Sequence, residues 1–209
     1  MTKVKICGLS TPESVTASIE QGADFIGFVS YPPSPRHVEL EVAQYLASFI
    51  PAHVQIVGLF VNPTNKSLQE FIQAVPLNMI QLHGDETPVR VTEIKERFGL
   101  PVMKAISIAD KGDLEKVKNY TNHCDWLLFD AKGEALPGGN GVAFDWTILK
   151  DFECSIPWML AGGLTSENVG EALSIVTPTA VDVSSGVESE KRVKDLDKIT
   201  SFLDAVKRA

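Results

Sequence analysis

Cysteine is scarce in this chain: Cys7, Cys124 and Cys154 are an odd number at wide spacing, with no Cys-x-x-Cys pair. That argues against a disulfide framework and a structural zinc site, and it fits a reducing, cytoplasmic setting. Long apolar runs are missing too. The longest are strand-sized, well short of the roughly 20 residues that span a bilayer, and Met1 to Gly8 lacks the charged leader and apolar stretch of a secretory signal. A soluble, unexported protein without membrane contact is expected. No Gly-x-Gly-x-x-Gly follows the first apolar run, which weakens a dinucleotide-binding reading. Positive charge is in deficit: 19 Lys and Arg stand against 27 Asp and Glu, for a net charge of -8. With no long basic run to track phosphates, a nucleic-acid partner is not expected. An anionic small molecule would have to be captured by local donors. The candidate metal ligands show no recognisable spacing, so no metal is expected.

What is present is a repeat of short β-rich apolar runs and longer amphipathic segments. The 209 residues, 44% of them hydrophobic, suit one domain with one core. Strands are expected at Val4–Cys7, Phe25–Val29, Gln55–Phe60, Met79–Leu82, Val102–Ile106, Trp126–Phe129, Trp158–Leu160 and Ala180–Val183, starting about every 25 residues. Helical patterns lie between them, clearest at Pro12–Gln21, Leu40–Ser48, Ser67–Ala74, Val89–Phe98, Ser166–Leu173 and Asp195–Val206. Thr11-Pro12 and Thr87-Pro88 place proline just inside a helix start. Eight βα units in this length predict a closed (βα)8 TIM barrel spanning 1–209, since an open doubly wound sheet of this size usually carries five or six strands. The loop Ala131–Val142, centred on Pro137-Gly138-Gly139-Asn140-Gly141, reads as mobile.

In such a barrel, chemistry gathers where the strands end at their C-terminal side. Those ends are polar here: Cys7-Gly8, His83-Gly84-Asp85, Asp130, Gly162-Gly163, and Asp182 with Ser184-Ser185-Gly186. Cys7 reads either as a small buried hydrophobe or as a general base. The second role needs a populated thiolate, and so a neighbouring positive charge to lower its proton affinity. Lys5 shares its face by strand alternation and could supply that charge or pair with a core acid. Asp130 ends the run Trp126-Leu127-Leu128-Phe129, where burial would let it hold a proton; capping a loop is the plain alternative. Strands 1 and 6 face each other across the mouth, with room for a substrate between acid and base. Gly162-Gly163 and Ser184-Ser185-Gly186 are turns rich in backbone amides, suited to phosphate or simply to tight backbone. Arg36, in Pro32-Pro33-Ser34-Pro35-Arg36, could grip a carboxylate through two hydrogen bonds or remain an exposed solubilising charge. His83 reads as a ligand contact or a structural histidine. Cys124 and Cys154 precede strands 6 and 7, away from the rim, and read as structural.

Six segments in order resemble one family, phosphoribosylanthranilate isomerase. They are Val4-Lys5-Ile6-Cys7-Gly8-Leu9; Gly27-Phe28-Val29 with Ser34-Pro35-Arg36; Gln81-Leu82-His83-Gly84-Asp85-Glu86; Leu128-Phe129-Asp130 with Gly138 to Gly141 and Phe144-Asp145-Trp146; Leu160-Ala161-Gly162-Gly163-Leu164; and Val181-Asp182-Val183-Ser184-Ser185-Gly186-Val187-Glu188. The resemblance implies a cofactor-free Amadori rearrangement of N-(5-phosphoribosyl)anthranilate. Asp130 would protonate the ring oxygen and open the furanose to an imine, and Cys7 would then remove the C2 proton, which the cationic imine acidifies. Arg36 would hold the anthranilate carboxylate, the turns at Gly162-Gly163 and Ser184-Ser185-Gly186 the phosphate, with Asp182 and His83 near the ligand. One departure concerns Ser189-Glu190-Lys191-Arg192-Val193, which lacks the glycine that commonly precedes a Lys-Asp pair like Lys194-Asp195. Two rivals remain: a histidine-pathway isomerase, expected to carry a carboxylate in place of Cys7, and a non-catalytic barrel that binds a phosphorylated ligand. Nothing in the sequence sets an oligomeric state.

Overall fold

The computed structural model describes residues 1–131 and 145–209. The expected loop at Pro137–Gly141, and Phe144 with it, lies outside the described residues. All eight expected strands form, as β1 Lys3–Cys7, β2 Phe25–Ser30, β3 Gln55–Phe60, β4 Met79–Leu82, β5 Val102–Ile108, β6 Trp126–Ala131, β7 Trp158–Leu160 and β8 Ala180–Val183. They pair in parallel in sequence order, and β1 closes the ring on β8 through Lys5 opposite Asp182.

Period-two alternation divides each strand between two apolar layers. Val4 and Ile6, Ile80 and Leu82, and Leu127 and Phe129 point outward into the main core beneath the helices. Phe25, Val57, Met79, Met103, Leu128, Met159 and Ala180 fill the barrel's interior. Strands buried on both faces read as unbroken apolar runs, so a polar residue within one is conspicuous. Lys5, Gln81, Asp130 and Asp182 are such residues, all buried and all on inward positions.

The helices are α1 Pro12–Glu20, α2 Leu40–Ala47, α3 Asn65–Ala74, α4 Pro88–Phe98, α5 Leu114–Val117, α6 Val169–Ile175 and α7 Leu196–Arg208. Thr11, Thr64 and Thr87 each accept a hydrogen bond from the backbone N–H three residues on, and Asp195 accepts from Asp197 and Lys198, which satisfies orphan donors of the first turn. One expectation needs correcting: α6 opens at Val169, three residues later than Ser166. The Asn168 side chain is spent instead on Thr165 N–H and the Gly163 carbonyl, which ties the approach to the helix back onto the β7 turn. After β6, among the described residues, a short 3-10 turn at Trp146–Leu149 lies where an outer helix would, burying Trp146 and Leu149. After Val187 the chain adds a small antiparallel ribbon, β9 Glu188–Glu190 with β10 Val193–Lys194.

Candidate active site

The C-terminal mouth of the barrel holds a cleft open to solvent. Cys7, Arg36, His83, Asp130, Gly162, Gly163, Asp182, Ser184 and Ser185 all line it. Nine of the ten residues singled out from the sequence are thus brought to one chamber. The tenth, Gly186, borders the adjoining hollow shared with Gly163 and Ser185.

Cys7 and Lys5 stand two residues apart on β1 and face inward together. Gly27, opposite Cys7 on β2, makes room for both: a Cβ there would lie 3.0 Å from Cys7 Sγ and 3.2 Å from Lys5 Cε. The Lys5 ammonium is fully buried and bonds Asp182 Oδ1 at 2.9 Å. Burial works against that ammonium, but Asp182 and Cys7 outweigh it and raise its proton affinity above the ordinary lysine value. The expectation that a neighbouring charge leaves Cys7 with lowered proton affinity is corrected. Burial pushes the thiol up more than Lys5 and Lys194 pull it down, and Asp182 adds to the rise. Lys5 therefore both pairs with a core acid and restrains the rise of the thiol, so its two readings are compatible.

Across the mouth, Asp130 Oδ2 lies 3.2 Å from His83 Nε2. The other ring nitrogen, Nδ1, lies 3.1 Å from Gln81 Nε2. The turn that carries His83 is held by a buried pair that sequence reasoning missed. Lys104 on β5 donates to the carbonyls of Leu82 and Gly84 and to Glu86 Oε2 at 2.9 Å. Glu86 in turn accepts from the N–H groups of Asn62 and Gly84. The signal was a lysine inside the apolar run Val102–Ile106.

Arg36 is buried, not an exposed solubilising charge, and its guanidinium is held in a two-point fork by Glu188, Nε to Oε1 at 2.6 Å and Nη2 to Oε2 at 2.8 Å. Lys194 reaches Glu188 Oε1 at 3.0 Å and the Ser184 carbonyl at 2.8 Å. Burial alone would raise the Glu188 carboxyl, but the hydrogen bond from Arg36 and the charge of Lys194 bring it below the ordinary glutamate value. Burial pushes the Lys194 ammonium down despite Glu188. Sequence reasoning missed Glu188 and Lys194 as site-forming groups, though both stood inside or beside the quoted motifs. The left-handed Gly8, φ 76°, lets the chain pass Arg36: a Cβ would lie 3.0 Å from its Cδ.

The two amide-rich turns converge. A Cβ on Gly186 would sit 1.9 Å from the Leu164 carbonyl, so the β8 turn packs directly on the β7 turn. Gly162 and Gly163 both take positive φ, at 86° and 64°. The N–H groups of Gly163, Ser185 and Gly186 donate to no backbone acceptor among the described residues, which leaves two donors at the wall of the chamber and a third on the adjoining hollow. No group of three or more His, Cys, Asp or Glu among the described residues is placed to hold a metal ion.

Residues 4–205 match the sequence profile of N-(5'-phosphoribosyl)anthranilate (PRA) isomerase. The chain is 50% identical over 208 residues to the N-(5'-phosphoribosyl)anthranilate isomerase of Paramagnetospirillum magneticum, covering 98% of this chain and 97% of that protein. It is 52% identical to that of Paracoccus denitrificans over 203 residues, covering 96% and 94%. The chain belongs to the N-(5'-phosphoribosyl)anthranilate isomerase family. Solved members of this isomerase family share its shape. The Thermotoga maritima enzyme superposes with a TM-score of 0.92 at 37% identity, with both chains fully covered. A phosphoribosyl anthranilate isomerase in complex with reduced 1-(o-carboxyphenylamino)-1-deoxyribulose 5-phosphate superposes at 0.89 and 36% identity, again over the whole of both chains.

Proposed function

We propose that the chain carries out the rearrangement for which its relatives are named, converting N-(5'-phosphoribosyl)anthranilate to 1-(o-carboxyphenylamino)-1-deoxyribulose 5-phosphate in tryptophan biosynthesis, with Asp130 as general acid and Cys7 as general base. The observation that carries this reading is the placement of these two groups on β6 and β1, three strands apart around the ring, on one cavity with anion donors along its wall. Asp130 protonates the ring oxygen, the C1–O bond breaks, and the anilino nitrogen's lone pair forms a cationic C1=N imine. That cation draws electrons from C2. Cys7 then takes the C2 proton, giving an enolamine that becomes the ketone by protonation at C1 and loss of the C2 hydroxyl proton. The electron sink is the substrate's own imine, and the resemblance implies no metal or organic cofactor.

Cys7 is protonated in the empty site because burial dominates. The thiol releases its proton to solvent at the open mouth before it acts, and the imine cation that forms in the same chamber, like Lys5, favours the resulting thiolate. Arg36, aimed by Glu188, offers a guanidinium to the anthranilate carboxylate, and the N–H groups of Gly163, Ser185 and Gly186 offer a wall to the phosphate. Fixed amides suit a chain of net charge -8, because they act at contact range where the overall field does not.

The test is anthranilate fluorescence in metal-free buffer after mixing the protein with freshly made N-(5'-phosphoribosyl)anthranilate. Rapid loss of fluorescence is expected. Saturable binding without turnover would instead assign the barrel to ligand binding alone.

A further inference from the structure

One buried polar side chain at the floor of the site has no part in the mechanism above. Gln81 stands on β4 two residues before His83, without solvent exposure. One end of its amide lies 3.1 Å from His83 Nδ1. The other end, Oε1, is buried and reaches no partner among the described residues. An amide with an idle end in a dry interior is a poor packing residue, because the unpaired atom has lost water and gained nothing. Methionine would fill a similar volume without that cost. On the far side of the ring, His83 Nε2 lies 3.2 Å from Asp130 Oδ2. Amide, imidazole and carboxyl therefore form a chain from β4 to β6 that passes over β5.

That chain ties the position of a proton to the orientation of the amide. A neutral imidazole carries one N–H, and the nitrogen without it can only accept. With the amide nitrogen toward Nδ1, that nitrogen accepts, Nε2–H donates to Asp130, and Asp130 is held as a carboxylate. With the amide turned over, Nδ1–H donates to Oε1, Nε2 accepts, and the Asp130 carboxyl keeps its proton. The orientation in the structure is the first, and it leaves Oε1 idle.

We infer that Gln81 is a positioning residue for the isomerase: its amide sets the tautomer of His83 and, through it, whether Asp130 can donate a proton when the sugar ring opens. The inference rests on Asp130 being the acid. An acid that has given up its proton must regain one before the next turnover, and an amide that can turn over lets the same three groups hold both states. The titratable and charged groups that share the cavity with His83 among the described residues are Asp130 from β6, Cys7 from β1, Asp182 from β8, Tyr31 and Arg36, with Lys5 bonded to Asp182. Lys104 from β5 and Glu86 bind the turn on either side of the imidazole.

The experiment compares wild type, Gln81→Met, His83→Asn and the double variant by thermal unfolding and by the pH dependence of kcat and KM. Gln81→Met is expected to unfold no earlier than wild type while kcat falls about tenfold, a fraction of what acid catalysis contributes. KM should stay within about twofold, because binding groups are untouched and only proton transfer suffers. The pH profile of kcat should be displaced. The double variant should be no slower than His83→Asn alone, because an amide that acts through His83 has nothing left to act on. Loss of fold, or early unfolding with an unchanged pH profile, would assign Gln81 to the core and overturn the inference; so would additive losses in the double variant. Asp130→Asn keeps the two readings apart. If it retains turnover, the acid assignment itself has failed; if it is inactive while Gln81→Met keeps the wild-type profile, only the role of Gln81 has failed.

Discussion

Replacing Lys5 by methionine separates the two jobs the structure gives this side chain. At 2.9 Å the Lys5–Asp182 attraction is worth about 6 kcal/mol at an effective dielectric near 20, most of it offset by the cost of burying both charges. Deleting one partner leaves Asp182 buried beside no cation, which costs about 3–5 kcal/mol. At roughly 2–4 °C per kcal/mol for a chain of this size, Lys5→Met should lower the unfolding temperature by roughly 6–20 °C. Replacing Asp182 by leucine as well removes the stranded charge, and an apolar pair of similar volume should recover most of that loss. Activity should not recover. Lys5 holds the Cys7 proton affinity down against burial, so without it the rising limb of the kcat/KM–pH profile moves to higher pH. The assay is scanning calorimetry on wild type, single and double variants, with kcat/KM against pH measured well below the lowest unfolding temperature. A single variant that unfolds with wild type would refute the buried-pair argument. An unmoved rising limb would refute the electrostatic link to Cys7.

Other consequences follow from the same geometry. Glu188→Gln loosens the fork on Arg36 and should raise KM while costing about 1–3 kcal/mol of stability at neutral pH. Because folding lowers the Glu188 carboxyl below its ordinary value of 4.5, its stabilisation is complete above that value and fades as pH falls through the folded-state value; urea titrations should show wild type and variant converging in acid. Gly186→Ala drives a methyl into the Leu164 carbonyl and should both destabilise the fold and raise KM. Gly99→Ala, also strained at φ 65° but with open space around it, should cost about 1 kcal/mol and leave kinetics unchanged. Gly27→Ala presses on Cys7 Sγ and Lys5 Cε, so kcat should fall more than affinity for the reduced product analogue, as steady-state rates and calorimetric titration would show.

The barrel was legible because parallel strands buried on both faces write themselves as short apolar runs at a steady interval. The same pattern put Asp130 and Asp182 at the C-terminal strand ends, where such a barrel gathers its chemistry. It could not supply burial, and for that reason the proton affinity of Cys7 ran opposite to expectation: Lys5 is where alternation put it, but the desolvation of the thiol is larger. Nor could it pair Arg36 with Glu188, 152 positions apart, or His83 with Asp130 across β5. Both pairs depend on ring closure and register, which fix distances only in three dimensions. The late start of α6 has a local cause, since Asn168 serves the turn instead of capping the helix.

The division of labour between Cys7 and Asp130 is tested most directly by measuring binding and turnover on the same variants, Cys7→Ala and Asp130→Asn, with the reduced product analogue as the binding probe. Both should bind the analogue within severalfold of wild type, because neither supplies the anion contacts, while turnover of N-(5'-phosphoribosyl)anthranilate falls by orders of magnitude. Turnover near the wild-type rate in either variant, with the fold retained, would contradict the account.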